Sequence, residues 1–165
     1  MKNGKLQIGI IGCGGIANGK HLPALHKLQN LCDLTAFCDI IPERAEKARA
    51  EYGSPDAKIY TDYRELLDNG DIDVVHVLTP NVLHSPITVA AFQAGKHVMC
   101  EKPMASTSAD AQAMLDAWKK SGKKFTIGYQ NRFRPEVQAL YKACRKGELG
   151  EIYYAKALAT RRRAV

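Results

Sequence analysis

Gln7-Ile8-Gly9-Ile10-Ile11-Gly12-Cys13-Gly14-Gly15-Ile16-Ala17 decides how this chain is read. Ile8 to Ile11 is a short apolar run of the kind that forms a strand buried on both faces. It breaks at Gly12-Cys13-Gly14-Gly15-Ile16-Ala17, which fits G-x-G-x-x-G/A, and a helix-compatible segment follows. Each small residue has a task in holding a dinucleotide. Gly12 lets the chain turn sharply out of the strand, Gly14 lets the backbone approach a pyrophosphate, and Ala17 lets the new helix lie close to the sheet. The start of that helix, with Gly15 and Ile16, offers unpaired N–H groups and a positive dipole end to phosphate.

Outward from this turn the chain alternates. Ile16 to Gln29 is compatible with a helix that Pro23 bends or restarts. Leu34 to Ile40 reads as a second strand with Asp39 near its end, and Pro42 opens a helix that stops at Gly53. Ile59 to Thr61 is a short third strand, and Asp62 caps a brief helix over Tyr63 to Asp68. The second half repeats the pattern: strand Asp73 to Leu78, helix Val82 to Ala94, strand His97 to Cys100. Thr107-x-x-Asp110 caps a helix reaching Lys120, and Lys124 to Tyr129 makes a sixth strand. This alternation predicts an α/β fold, a Rossmann-type doubly wound parallel sheet with right-handed crossovers. After Asn131 the pattern changes to an amphipathic helix over Pro135 to Lys146 and an alternating stretch, Glu151 to Thr160, expected as a strand. The expected organisation is a dinucleotide-binding domain over 1–131, then the first helix and strand of a truncated C-terminal α/β domain over 132–165.

Composition narrows the classes. With 165 residues, 45% hydrophobic and 25% charged, the chain can bury a core of ordinary globular size. No apolar run reaches the roughly 18 residues that span a bilayer, and the N-terminus enters the first strand at once, so neither membrane span nor signal peptide is expected. Cys13, Cys32, Cys38, Cys100 and Cys144 show no C-x-x-C pairing, which favours reduced thiols and a cytoplasmic setting. The five histidines lack metal-ligand spacing, so no metal site is expected. The net charge of +7 is local: Arg132 to Val165 holds nine Lys/Arg against three Asp/Glu, while the rest is nearly balanced. A basic end closing in Arg161-Arg162-Arg163 reads as a local basic face rather than a nucleic-acid surface.

Ligands in an open parallel sheet gather beyond the carboxyl ends of its strands. Four strands here end on polar or turn-forming residues: the glycine turn, Asp39, Thr79-Pro80-Asn81 and Glu101-Lys102-Pro103. Asp39 stands where an acid would accept from the adenosine hydroxyls and repel a 2′-phosphate, which favours NAD over NADP. Arg44 pulls the other way, since it could reach a phosphate or stack on adenine. Lys102, at the end of a central strand, is the catalytic candidate: its ammonium could carry a proton to or from a substrate oxygen. From chemistry alone it is equally a solvated loop lysine paired with Glu101. Asn81 and His84 could reach a nicotinamide ribose or a substrate, though His84 is also an ordinary first-turn helix residue.

Taken together, Gly12-x-Gly14-Gly15-Ile16-Ala17, Asp39, Thr79-Pro80-Asn81-x-x-His84, Glu101-Lys102-Pro103-Met104-Ala105 and Gly128-Tyr129-Gln130-Asn131-Arg132-Phe133 resemble the glucose–fructose oxidoreductase / inositol dehydrogenase family. The resemblance implies NAD(P)-dependent hydride transfer on a sugar, cyclitol or related hydroxy or carbonyl compound. It implies pyrophosphate on the Gly12–Ala17 loop, adenosine ribose on Asp39, and the nicotinamide half near Thr79, Pro80, Asn81 and His84. Glu101 and Lys102 would lie by the ring, Lys102 taking part in catalysis, with Asn131 and Arg132 near the cofactor. It also implies a further C-terminal domain with a substrate floor, more catalytic groups and a homo-oligomer interface, so this stretch alone is expected to bind NAD(H) with little turnover. A non-catalytic NAD(H)-responsive binding or regulatory module is the alternative. A methyltransferase is disfavoured by the absence of an acid just before Gly12, a short-chain dehydrogenase by the absence of Y-x-x-x-K, and a hydrolase by the absence of G-x-S-x-G.

Overall fold

The computed structural model describes residues 1–160, so Arg161, Arg162 and Arg163 lie outside the described residues. The chain divides into two compact units, Met1–Gly128 and Tyr129–Val165. The first is built on six strands: β1 (Leu6–Ile11), β2 (Cys32–Cys38), β3 (Lys58–Tyr60), β4 (Val74–Val77), β5 (His97–Cys100) and β6 (Phe125–Ile127). They form one sheet in the order β3-β2-β1-β4-β5-β6, and every neighbouring pair is parallel. The order reverses between β1 and β4, which pair directly through Ile8↔Val74 to Ile11↔Val77. That reversal opens the crevice in which doubly wound sheets hold ligands.

Helices cover both faces, which is why the central strands read as unbroken apolar runs. On one face Ile8, Ile10, Leu34, Phe37 and Leu78 pack against Ala17, Leu22, Ala45 and Ala48, brought by the first turns, α1 (Leu22–His26) and α2 (Pro42–Tyr52). On the other, Ile11, Cys38, Val75 and Val77 pack against Leu66, Ile87, Phe92 and Met114. These come from α3 (Tyr63–Asp68), α4 (His84–Gln93) and α5 (Ser108–Ser121). Burying each large side chain in these layers contributes about 1.5–3 kcal/mol. The β1–β2 register slips by one residue at Thr35, between Ile8↔Leu34 and Gly9↔Ala36. The slip returns Phe37 to the same face as Leu34, so β2 keeps both layers filled.

Local signals place most boundaries. The Asp62 carboxylate accepts from the Arg64 N–H at the start of α3, and Thr107 Oγ1 accepts from the Asp110 N–H at the start of α5. The reciprocal bond of a full capping box is replaced by Thr107 donating its O–H to the Asp110 carboxylate at 2.7 Å. Before Pro23 the helix opens into a wide turn over Ala17–His21, with the Leu22 N–H reaching back to the Ala17 carbonyl. Pro23 has no N–H to give to the carbonyl four residues back, so the preceding turn relaxes to a longer reach.

In the second unit, a 3-10 turn over Gln130–Phe133 leads into α6 (Pro135–Arg145), as the amphipathic pattern predicts. The strand expected over Glu151 to Thr160 is not formed: these residues are exposed and carry no ladder. Alternation marks a stretch fit to be a strand, but strand hydrogen bonds need a neighbour, and none lies beside it among the described residues.

Candidate functional site

Because the strands run parallel, the polar ends of β1, β2, β4 and β5 share one rim of the sheet. At the first, Gly12 takes φ +95°, and a Cβ there would lie 2.7 Å from the Leu78 carbonyl oxygen. Only glycine fits a turn wedged this closely between neighbouring strand ends. Around Gly14 the reverse holds: an added Cβ would meet nothing within 4 Å. Packing within the protein therefore does not require a glycine there, and the space in front of it belongs to the cleft. The Asn18 side chain holds the loop from behind, donating to the Cys13 carbonyl at 2.7 Å and the Gly14 carbonyl at 2.9 Å.

Asp39, only 8% exposed, follows β2 directly. One carboxylate oxygen accepts the Cys13 N–H at 2.8 Å and the other the Ile41 N–H at 3.0 Å. The acid thus ties the glycine loop to the end of β2, and each oxygen keeps lone-pair capacity for another donor. A cleft of about 580 Å³ opens beside it, its lining including Gly12, Gly14, Asp39, Arg44, Arg64 and Thr79, with Pro80. Ile16 is half exposed at the mouth of the loop, and Ala17 is fully buried against the sheet.

The β4 and β5 ends are stapled together by His84. Its ring nitrogens lie 3.0 Å from the Thr79 carbonyl and 2.7 Å from the Pro103 carbonyl, and the residue is 1% exposed. His84, expected by resemblance near the nicotinamide half, lies here between the two strand-end loops. Whichever ring nitrogen carries the hydrogen donates it to one of the two backbone oxygens. Asn81, by contrast, is exposed at the start of the 3-10 turn Asn81–Leu83.

Glu101 is buried at the end of β5. One carboxylate oxygen meets His21 Nε2 at 2.9 Å, and the other accepts the backbone N–H of Lys102 at 3.0 Å. Lys102 is exposed, and its ammonium makes no ion pair among the described residues. Of its alternative reading, a solvated loop lysine paired with Glu101, the solvent exposure is present and the pairing is not. Behind His21, Nδ1 of His76 on β4 lies 3.4 Å from Nδ1 of His21. Burial, then the neighbouring His21 ring, pushes the His76 pKa down to about 3. The thiols of Cys13, Cys38 and Cys100 are each pushed up to about 12, chiefly by burial, so none offers a thiolate. Among the described residues no three His, Cys, Asp or Glu side chains gather as metal ligands.

Asn131 and Arg132 belong to the second unit, where the Arg132 guanidinium lies 5.6 Å from the centre of the Tyr129 ring. Asn18, His21, His76 and Arg64 stand outside every motif in the sequence. Asn18 and His21 carry a faint signal, standing just after the glycine turn, but which way they point depends on the wide turn before Pro23. His76 reads as one more residue of a strand.

Residues 6–129 match the GFO/IDH/MocA family, described as an oxidoreductase family with an NAD-binding Rossmann fold. The chain belongs to this oxidoreductase family. Among its relatives, inositol 2-dehydrogenase of Salmonella typhimurium is 37% identical over 147 residues, covering 88% of this chain and 43% of that protein. WlbA dehydrogenase from Bordetella pertussis, solved with NADH and UDP-GlcNAcA, superposes with a TM-score of 0.85 at 31% identity, over 93% of this chain and 43% of that one. A 3-ketoreductase from Actinomadura kijaniata, KijD10, solved with TDP-benzene and NADP, gives 0.80 at 28% identity, over 90% of this chain and 44% of that one. The chain thus spans less than half the length of the GFO/IDH/MocA proteins it matches.

Proposed function

We propose that this chain is the NAD(H)-binding portion of a dehydrogenase acting on a hydroxyl-bearing carbon of a sugar, cyclitol or related compound. The observation that carries the reading is the single cleft formed where the β1, β2 and β4 ends converge, with an open cradle at Gly14 and a buried acid, Asp39, keeping free lone pairs beside it. When bound, a nicotinamide supplies or accepts the hydride. The residues of this chain do the rest. The Gly12–Ala17 loop offers backbone N–H groups to a pyrophosphate, and Asp39 accepts from the adenosine ribose. Arg44 flanks the adenosine end, while Thr79, Pro80 and Asn81 border the nicotinamide half. Lys102, its ammonium not taken up by Glu101, carries a proton to or from the reacting oxygen. Asn131 and Arg132 are assigned to the cofactor's surroundings on family likeness alone. One relative named above is an inositol 2-dehydrogenase and another was solved with UDP-GlcNAcA, which supports a polyhydroxylated substrate.

Titration calorimetry with NADH tests the proposal. Saturable binding is expected, with NADPH weaker by about tenfold because a 2′-phosphate would meet the Asp39 carboxylate. Gly14→Val fills the cradle from a position where an added Cβ meets no protein atom within 4 Å. It should leave thermal unfolding unchanged and weaken NADH binding at least about a hundredfold. A folded wild-type chain giving no NADH binding overturns the reading.

A further inference from the structure

His21 closes the wide turn that follows the glycine loop, and its ring points across the sheet rim at Glu101, eighty residues later. Both side chains are about a tenth exposed, 11% and 10%. The space for the Glu101 carboxylate is secured by Gly128, where a Cβ would come within 2.9 Å of Oε1, the oxygen that meets His21. An ionised carboxylate only accepts, so the hydrogen between Glu101 and His21 sits on His21 Nε2. In a neutral ring that leaves Nδ1 of His21 as an acceptor, and His76, held neutral by its surroundings, donates to it from its own Nδ1. One hydrogen-bonded chain therefore runs from His76 through His21 and Glu101 to the backbone N–H of Lys102. His21 belongs to the wide turn that directly follows the Gly12–Ala17 loop, and the chain ends on the loop that carries the lysine.

We propose that His21 is a positioning residue: by occupying one oxygen of Glu101 it locks the carboxylate onto the Lys102 backbone and joins the turn behind the dinucleotide loop to the lysine loop. The lock also diverts Glu101 from the Lys102 ammonium, which keeps that group available. The consequence for cofactor binding rests on the oxidoreductase reading; the lock itself does not.

The test uses nuclear magnetic resonance on the full chain. Long-range nitrogen–proton spectra of the imidazoles should show the hydrogen of His21 on Nε2 and that of His76 on Nδ1. In His21→Gln the amide nitrogen takes the place of Nε2 and keeps the bond to Glu101, whereas in His21→Asn it takes the place of Nδ1 and loses it. Hydrogen exchange at the Lys102 amide should quicken about tenfold or more in His21→Asn and stay within about twofold of wild type in His21→Gln. A general loosening would not separate these two variants. NADH should slow that exchange further in wild type and in His21→Gln, but not in His21→Asn. Equal exchange in both variants, or a His21 ring without its hydrogen on Nε2, overturns the proposal. A wild-type chain that ignores NADH instead sinks the dehydrogenase reading, while the comparison of the two variants still judges the lock.

Discussion

His76 shows what a single partly buried imidazole costs the fold. Its pKa falls from 6.5 to about 3 because burial penalises the charged ring and His21 stands beside it. The unfolded chain takes up this proton below about pH 6.5, the folded chain only near pH 3. Acid therefore favours the unfolded form, and stability is lost as pH drops through that window, at up to about 1.4 kcal/mol per pH unit. His76→Leu removes the contribution. Urea unfolding at pH 7, 5.5 and 4.5 should show the difference between variant and wild type moving in the variant's favour as pH falls; a constant difference would contradict the assignment. His76 also shows where sequence reading stops. Asp39 and Lys102 were legible because each follows a recognisable strand end, and chain direction alone places them on one rim. The His76–His21–Glu101 chain joins residues 21, 76 and 101 through side-chain directions that no spacing rule encodes.

Strands and turns were easier to read than side chains, because hydrophobic runs and Gly, Pro and Asp punctuation report local backbone needs directly. α2, α3 and β5 fall where those signals put them. β2 begins earlier than its apolar pattern suggests, at Cys32, because Cys32 and Asp33 pair with Leu6 and Gln7. The failed strand over 151–160 is the same lesson reversed: pairing is a relation between elements, and one element's pattern cannot supply it. The junction of β1 with its turn gives a sharp test of how tightly these elements meet. Gly12→Ala puts a Cβ 2.7 Å from the Leu78 carbonyl at φ +95°, so backbone must move. The expected loss is about 2–4 kcal/mol in chemical denaturation, against less than about 1 kcal/mol for Gly14→Ala, whose Cβ meets nothing. Similar losses at the two glycines would mean that the turn is not wedged between the strands.

Burial is distributed unevenly along the chain. Every buried residue among those described lies at or before Gly128, and both core layers close using residues of the first unit alone. Beyond it, α6 and the stretch after it leave Leu140, Tyr141, Leu149, Ile152 and Tyr154 exposed. A unit that buries its own core should fold without help. A polypeptide ending at Gly128 is therefore expected to unfold cooperatively, with a Tm within about 5 °C of the full chain. The Gly12–Ala17 loop, Asp39 and Lys102 all lie within it, so it should still bind NADH saturably, weaker by less than about tenfold for want of Asn131 and Arg132. Removing exposed apolar side chains should also lower self-association, read by light scattering at high concentration. A shortened chain that fails to fold would show that residues after Gly128 hold the sheet together. One that folds but loses NADH would assign part of the cofactor's grip to Asn131 and Arg132, residues whose role rests at present on family likeness.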